Sequence, residues 1–269
     1  MLKVRLIPCI ITKNDLVVQS FGFKKYLPIG SLKTAIEFFV NWDVDEIIII
    51  DIDAYREKRK PNFSLVEWAG SECFVPLTVG GGISELDDIR RLLNAGADKV
   101  CLNTVAFDSP QFVRKAASVF GSQCITVSID VKKVDGDYFV YNHISQNIER
   151  KSPADYAEEM EKVGAGEIFL NSVDRDGSRE GYDLNMIKSV TSRLSIPVIA
   201  CGGVGNFKDL PDGINIGGCQ AVAAANIFQH TEHSTIAAKA HLISSGIEVR
   251  LSSNVKYKDF KFDFMGRPY

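Results

Sequence analysis

The feature that most constrains this chain is a series of eight short apolar runs, at 4–11, 46–51, 76–79, 99–102, 124–130, 167–171, 197–200 and 220–223. Each is rich in Val and Ile, is bounded by polar residues or glycine, and shows little polar alternation. Such runs belong to a parallel sheet buried on both faces. Amphipathic segments at 32–40, 85–94, 110–119 and 153–163 lie between them, as parallel strands joined by helical crossovers require. Eight such units favour closure into an α/β fold of the (β/α)8 TIM-barrel type over an open, doubly wound sheet. The 269 residues fit one such domain, and no Pro/Gly/Ser-rich linker divides them.

The chain also repeats itself at an offset of about 120 residues, half of a barrel. Val79-Gly80-Gly81-Gly82-Ile83 returns as Cys201-Gly202-Gly203-Val204-Gly205. Asp45-Glu46-Ile47 returns as Gly166-Glu167-Ile168, and 97–104 returns as 219–226. Two repeated half-barrels would carry their functional parts twice.

In a barrel of this kind the site lies at the C-terminal ends of the strands. Glycines there let backbone N–H groups approach an anion. Gly81 and Gly82 after strand 3, with Asn103 and Thr104 after strand 4, form one candidate phosphate cradle. Gly202 and Gly203 after strand 7, with Ala224, Ala225 and Asn226 after strand 8, form its echo, and Asp176-Gly177 follows strand 6. The alternative is that these glycines only turn tight loops. Two opposed cradles would suit a phosphorylated small molecule with a phosphate at each end. Asp130 and Asp51 close strands 5 and 2 and are candidates for proton transfer, although buried carboxylates are often structural. The half-barrel partner of Asp130 falls at Ile10-Ile11, so strand 1 ends without an acid. At the opposite end, Arg5, Glu46, Lys99 and Glu167 all stand at strand starts. They form either a neutral ring of ion pairs across the floor, able to gate a passage, or ordinary solvated strand caps.

The formal charge of −3 gives no ground for nucleic-acid or membrane-surface binding. No apolar run approaches the ~18 residues of a membrane span. The chain opens directly on a strand pattern, so a cytoplasmic protein without a leader is expected. None of the six cysteines is spaced as CxxC, and the four histidines do not cluster with them in a zinc pattern. Reduced, buried thiols are expected, with no metal and no cofactor.

A set of colinear motifs resembles one known family. Ile7-Pro8-Cys9, Val79-Gly80-Gly81-Gly82-Ile83, Gly96-Ala97-Asp98-Lys99-Val100, Phe120-Gly121-Ser122-Gln123, Ile129-Asp130, Val134-Asp135-Gly136, Gly164-Ala165-Gly166-Glu167-Ile168 and Asp174-Arg175-Asp176-Gly177 are similar to the cyclase subunit of imidazole glycerol phosphate synthase. The resemblance implies a barrel over 1–251, with 252–269 as a C-terminal extension of the same domain. It implies a glutaminase docked at the floor and ammonia passing through the barrel. At the rim that ammonia cleaves and cyclises a bisphosphorylated nucleotide in histidine and purine metabolism. Carried over, the floor gate falls on Arg5, Glu46, Lys99 and Glu167, and the glutaminase contact on Asp98. The phosphate contacts fall on Gly82, Asn103 and Thr104 at one end and on Asp176, Gly177, Gly203, Ala224, Ala225 and Asn226 at the other. One catalytic aspartate falls on Asp130.

Two positions depart from that family. Its second catalytic aspartate falls on Ile11, which transfers no proton, and a phosphate-contacting lysine falls on Gln19. Glu57-Lys58-Arg59-Lys60-Pro61-Asn62-Phe63, Ser71-Glu72-Cys73-Phe74 and Ile52-Asp53-Ala54 resemble paralogues found with surface-polysaccharide genes. Those pair with a glutaminase and with an amidotransferase that converts a sugar acetamido group to an acetamidino group. The resemblance therefore implies an ammonia-conducting subunit with impaired cyclase chemistry. A functioning cyclase and a non-catalytic scaffold are the alternatives. Basic and aromatic residues alternate over 256–264, which suggests an extended segment with one apolar face, docked on the barrel or on a partner.

Overall fold

The computed structural model describes residues 3–149, 151–229, 234–253, 255–257 and 262–263. Eight parallel strands close into a barrel: β1 Arg5–Lys13, β2 Ile47–Asp51, β3 Leu77–Gly80, β4 Lys99–Leu102, β5 Ile125–Val134, β6 Glu167–Ser172, β7 Val198–Cys201 and β8 Ala221–Ala224. The seam is shut at Ala221, which stands opposite Arg5 of β1 and Ile199 of β7. Helices occupy the crossovers, so the fold is the expected (β/α)8 barrel.

Local signals explain where the helices begin. Ser31 caps Leu32–Asn41 by accepting the Thr34 N–H, and Asp183 caps Leu184–Thr191 by accepting the Met186 N–H. Pro153–Val163 starts with proline behind the Ser152 cap and stops at Gly164 with φ 110°.

Strand alternation sorts the core into two layers. Leu6, Ile10, Ile47, Val100, Val127, Leu170, Val198 and Val222 face the helices. Ile7, Cys9, Ile48, Cys101, Phe169, Ile199, Cys201, Ala221 and Ala223 fill the bore. Adjacent residues on one strand are thus both buried, which is why the runs lack polar alternation. All six cysteines are free thiols.

Two strands do not stop at the rim. β1 turns at Asn14 and Asp15, both at positive φ, into a ribbon of Leu16–Phe21 paired with Lys25–Ser31. β5 turns at Asp135 and Gly136, again both at positive φ, into Asp137–Asn142 and Asn147–Glu149. Paired positive φ values suit two-residue hairpins. The ribbons extend equivalent strands of the two half-barrels, so they continue the repeat. Asp130 therefore lies within β5 and does not close it, as the sequence pattern had suggested.

Beyond the barrel, Val4 pairs in parallel with Val249. Of the tail, Tyr257 donates its hydroxyl to Asp43 and accepts the Ser252 N–H. Phe262 packs edge-on against His241 at 5.0 Å. Most of the alternating stretch at 256–264 lies outside the described residues, as do His230 and His233.

Candidate functional site at the two ends of the barrel

The floor carries a closed ring of charge. Arg5 reaches Glu46 at 2.7 Å and Glu167 at 2.6 Å, and Lys99 reaches the same two carboxylates at 3.0 and 2.7 Å. Thr78 donates its hydroxyl to the remaining Glu46 oxygen at 2.7 Å. Each cation bridges both anions, so the ring is neutral and each member has two partners. Burial disfavours the Arg5 charge, but Glu167 and Glu46 outweigh it and raise the Arg5 pKa above its ordinary value. Solvated strand caps would not make such a circuit.

Asp98 stands beside this ring, exposed, at the turn into β4. Its carboxylate accepts the Leu77 N–H at 2.8 Å, so it ties β3 to β4 as well as facing solvent.

At the other end a cavity of about 990 Å³ opens at the strand C-termini, the upper end of the usual range for small-molecule sites. Gly82, Asn103, Thr104, Asp176, Gly177, Gly203, Ala224, Ala225, Asn226 and Asp130 all line it. The two expected cradles therefore share one chamber. Its charged lining is balanced: Lys13, Lys24, Arg56 and Arg179 against Asp51, Asp53, Asp130 and Asp176. An anion here would depend on backbone N–H groups as much as on side-chain charge.

The glycines have an additional reason to be glycine. A Cβ on Gly82 (φ +72) would lie 2.5 Å from the Arg59 carbonyl oxygen, and one on Gly203 (φ +105) 2.2 Å from that of Gly181. Loop-to-loop packing alone demands glycine at these points.

Several polar residues are already engaged. Asp176 accepts the Ser20 hydroxyl at 2.5 Å and the Phe23 N–H at 3.2 Å, and its carbonyl accepts the Gly22 N–H. Burial raises its pKa, opposed by those bonds. The Asn226 amide pairs with both the N–H and the carbonyl of Ser20. Asp176 and Asn226 thus clamp the β1 ribbon over the rim. Asp51 holds Arg59 at 3.1 Å and accepts the Asp53 and Ala54 N–H groups, so it organises its own loop.

Asp130 is 5% exposed and accepts the Asn103 amide at 2.9 Å. His143 Nδ1 lies 3.4 Å from the same carboxylate. The β5 ribbon delivers this histidine, and Arg56 donates to its carbonyl at 3.3 Å. Sequence spacing gave no sign of the pair, because it depends on the chain folding back after Asp135-Gly136. Ile11 lines the same chamber opposite Ile50 in register, an apolar patch on the wall. Gln19 is buried at 6% exposure. Among the described residues no group of His, Cys, Asp and Glu comes together to hold a metal, and no helix is long and apolar enough to cross a membrane.

The sequence pattern of the family described as "Histidine biosynthesis protein" matches residues 5–235. A Vibrio vulnificus (strain YJ016) protein named "Putative imidazole glycerol phosphate synthase subunit hisF2" is 62% identical over 269 residues, covering 100% of this chain and 99% of that one.

Proposed function

We propose that this chain, which belongs to the histidine biosynthesis protein family and is a cyclase-type subunit of the imidazole glycerol phosphate synthase kind, conducts ammonia without cyclising efficiently. In this reading a glutaminase docks at the floor around Asp98 and releases ammonia at the ring of Arg5, Glu46, Lys99 and Glu167. The ammonia crosses the apolar bore to the rim. A bore lined largely by apolar side chains suits a neutral molecule and disfavours its protonated form. From the rim it passes to an amidotransferase that converts a sugar acetamido group to an acetamidino group in surface-polysaccharide synthesis.

The observation that carries this reading is the contrast between the two ends. The ring is complete, with every member doubly paired. The rim offers Ile11 where a second proton-transfer group is required. Loss of one of two acid–base groups costs on the order of 10²–10⁴ in rate. The glycine loops, Asn103, Thr104 and Asn226 are then an inherited phosphate site around a weakened reaction centre.

One observation favours the other reading, a working cyclase: His143 stands beside Asp130 and lines the same chamber. A variant carrying Ile11→Asp and Gln19→Lys separates the two. If conduction without cyclisation is correct, the variant gains ammonium-dependent cyclase activity that the natural chain lacks. If cyclase activity is already present and the variant leaves it unchanged, His143 carries the missing role and the proposal fails.

A further inference from the structure

Inside the bore, β5 carries polar side chains at three successive inward positions. On β5 the inward positions are Thr126, Ser128 and Asp130, a hydroxyl, a hydroxyl and a carboxylate two residues apart. Val127, Ile129 and Val131 face the helices. The bore surface opposite is apolar, with Ile7, Ile48, Ile199 and Ala221. Thr126 is in register with Glu167 of the floor ring and with Cys101 of β4. It is fully buried, and its hydroxyl has no hydrogen-bond partner. Ser128 is met by the Asn103 amide at 3.3 Å, and Asp130 by the same amide at 2.9 Å. Cys101, two residues above Lys99 of the ring and also facing the bore, lies beside Thr126 in register, and burial pushes its thiol pKa up.

A buried hydroxyl without a partner is destabilising, because its hydration is lost and nothing replaces it. A small hydrogen-bonding molecule at Thr126 would remove that cost. We propose that Thr126 is a docking station for one such molecule, ammonia or water, immediately past the floor ring, and that the β5 ladder Thr126–Ser128–Asp130 is the polar wall along which it travels. Successive rungs lie about 6.6 Å apart at the strand rise, and Thr126 to Asp130 spans about 13 Å. One bridging molecule per gap connects the ring to the rim. This inference rests on the conduction reading and adds a route within it. Thr126 acts here as a positioning residue and touches no reacting atom.

The test is Thr126→Val, which keeps the side-chain shape and removes the hydroxyl. In a crystal of the wild-type chain a solvent-sized peak is expected within hydrogen-bond reach of Thr126 Oγ1, and none in the variant. In the native complex co-purified on the tagged chain, glutamine-supported product formation is expected to fall about three- to tenfold, the loss of one hydrogen bond. Ammonium-supported product formation stays within about twofold, because bulk ammonia enters at the rim. Thermal stability is expected to change little, since the hydroxyl bonds no protein group. A bore-narrowing Ala223→Leu variant, checked for unchanged melting, tests conduction independently of the station. If it uncouples glutamine from product while Thr126→Val does not, the station is refuted and conduction stands. If neither variant changes glutamine-supported turnover, conduction fails and the station with it. An empty site at Thr126 in a well-ordered wild-type crystal also refutes it.

Discussion

Glu46 is the member of the floor ring whose replacement is most informative. Its side chain is 1% exposed, and it serves Arg5 at 2.7 Å, Lys99 at 3.0 Å and the Thr78 hydroxyl at 2.7 Å. Glu46→Gln keeps the shape and an acceptor for Thr78. It leaves Arg5 and Lys99 facing Glu167 alone, a net positive charge in a partly buried ring. Breaking a buried pair while stranding its partner costs about 3–5 kcal/mol. Arg5 and Lys99 retain 25% and 17% side-chain exposure, so the low end, about 3 kcal/mol, is expected. At roughly 2–4 °C per kcal/mol for a chain of this size, the melting temperature falls by about 6–12 °C, readable by circular dichroism. Removing Arg5 as well (Arg5→Met with Glu46→Gln) restores neutrality and leaves the 2.7 Å Lys99–Glu167 pair intact. The double variant should be more stable than the sum of the singles by more than about 1 kcal/mol, the coupling expected within one ion-pair network. A Glu46→Gln cost below about 0.5 kcal/mol, as at a surface pair, or simple additivity, would refute the closed ring.

Two further outcomes are expected. Asp98→Lys should abolish co-purification with a glutaminase, whereas Asp98→Asn, which still accepts the Leu77 N–H, should keep the fold by melting and weaken the association only partly; unchanged co-purification with the Lys variant removes Asp98 from the interface. His241 is held below its ordinary pKa by burial, so the unfolded chain binds that proton more readily. Its contribution to stability is complete above about pH 6.5 and is lost as pH falls from there to the lowered folded value. His241→Phe should flatten that part of a stability–pH curve, and an unchanged curve would contradict the buried neutral imidazole.

The barrel was legible because its strands are buried on both faces. Runs such as 47–51 and 198–201 carry no polar residue in their cores, and only a closed or doubly covered parallel sheet accepts eight of them. The shared height of Arg5, Glu46, Lys99 and Glu167 was legible, since position along a strand fixes height in the barrel, but the choice between a ring and solvated caps was not, because spacing does not show which side chains meet. The ribbons were missed, although Asn14-Asp15 and Asp135-Gly136 are strong hairpin signals. A parallel strand ordinarily leads through a loop into a helical crossover, and that pattern hides a hairpin inserted between the two. The Asp130–His143 pair was illegible for the same reason. Asp51 looked like Asp130 in sequence, yet Arg59 and two backbone N–H groups occupy it. A strand-end carboxylate becomes available for chemistry only if its own loop leaves it unclaimed, and spacing does not reveal that.

The most direct measurement for conduction without cyclisation is turnover of the bisphosphorylated ribulosyl aminoimidazole-carboxamide nucleotide by the purified wild-type chain with ammonium salt. Apolar Ile11, standing where a second proton-transfer group beside Asp130 is required, predicts a rate at least about 10²-fold below that of the Ile11→Asp, Gln19→Lys variant. Wild-type turnover at an ordinary enzymatic rate, about 1 s⁻¹ or faster, would contradict the account and return the rim to active cyclase chemistry.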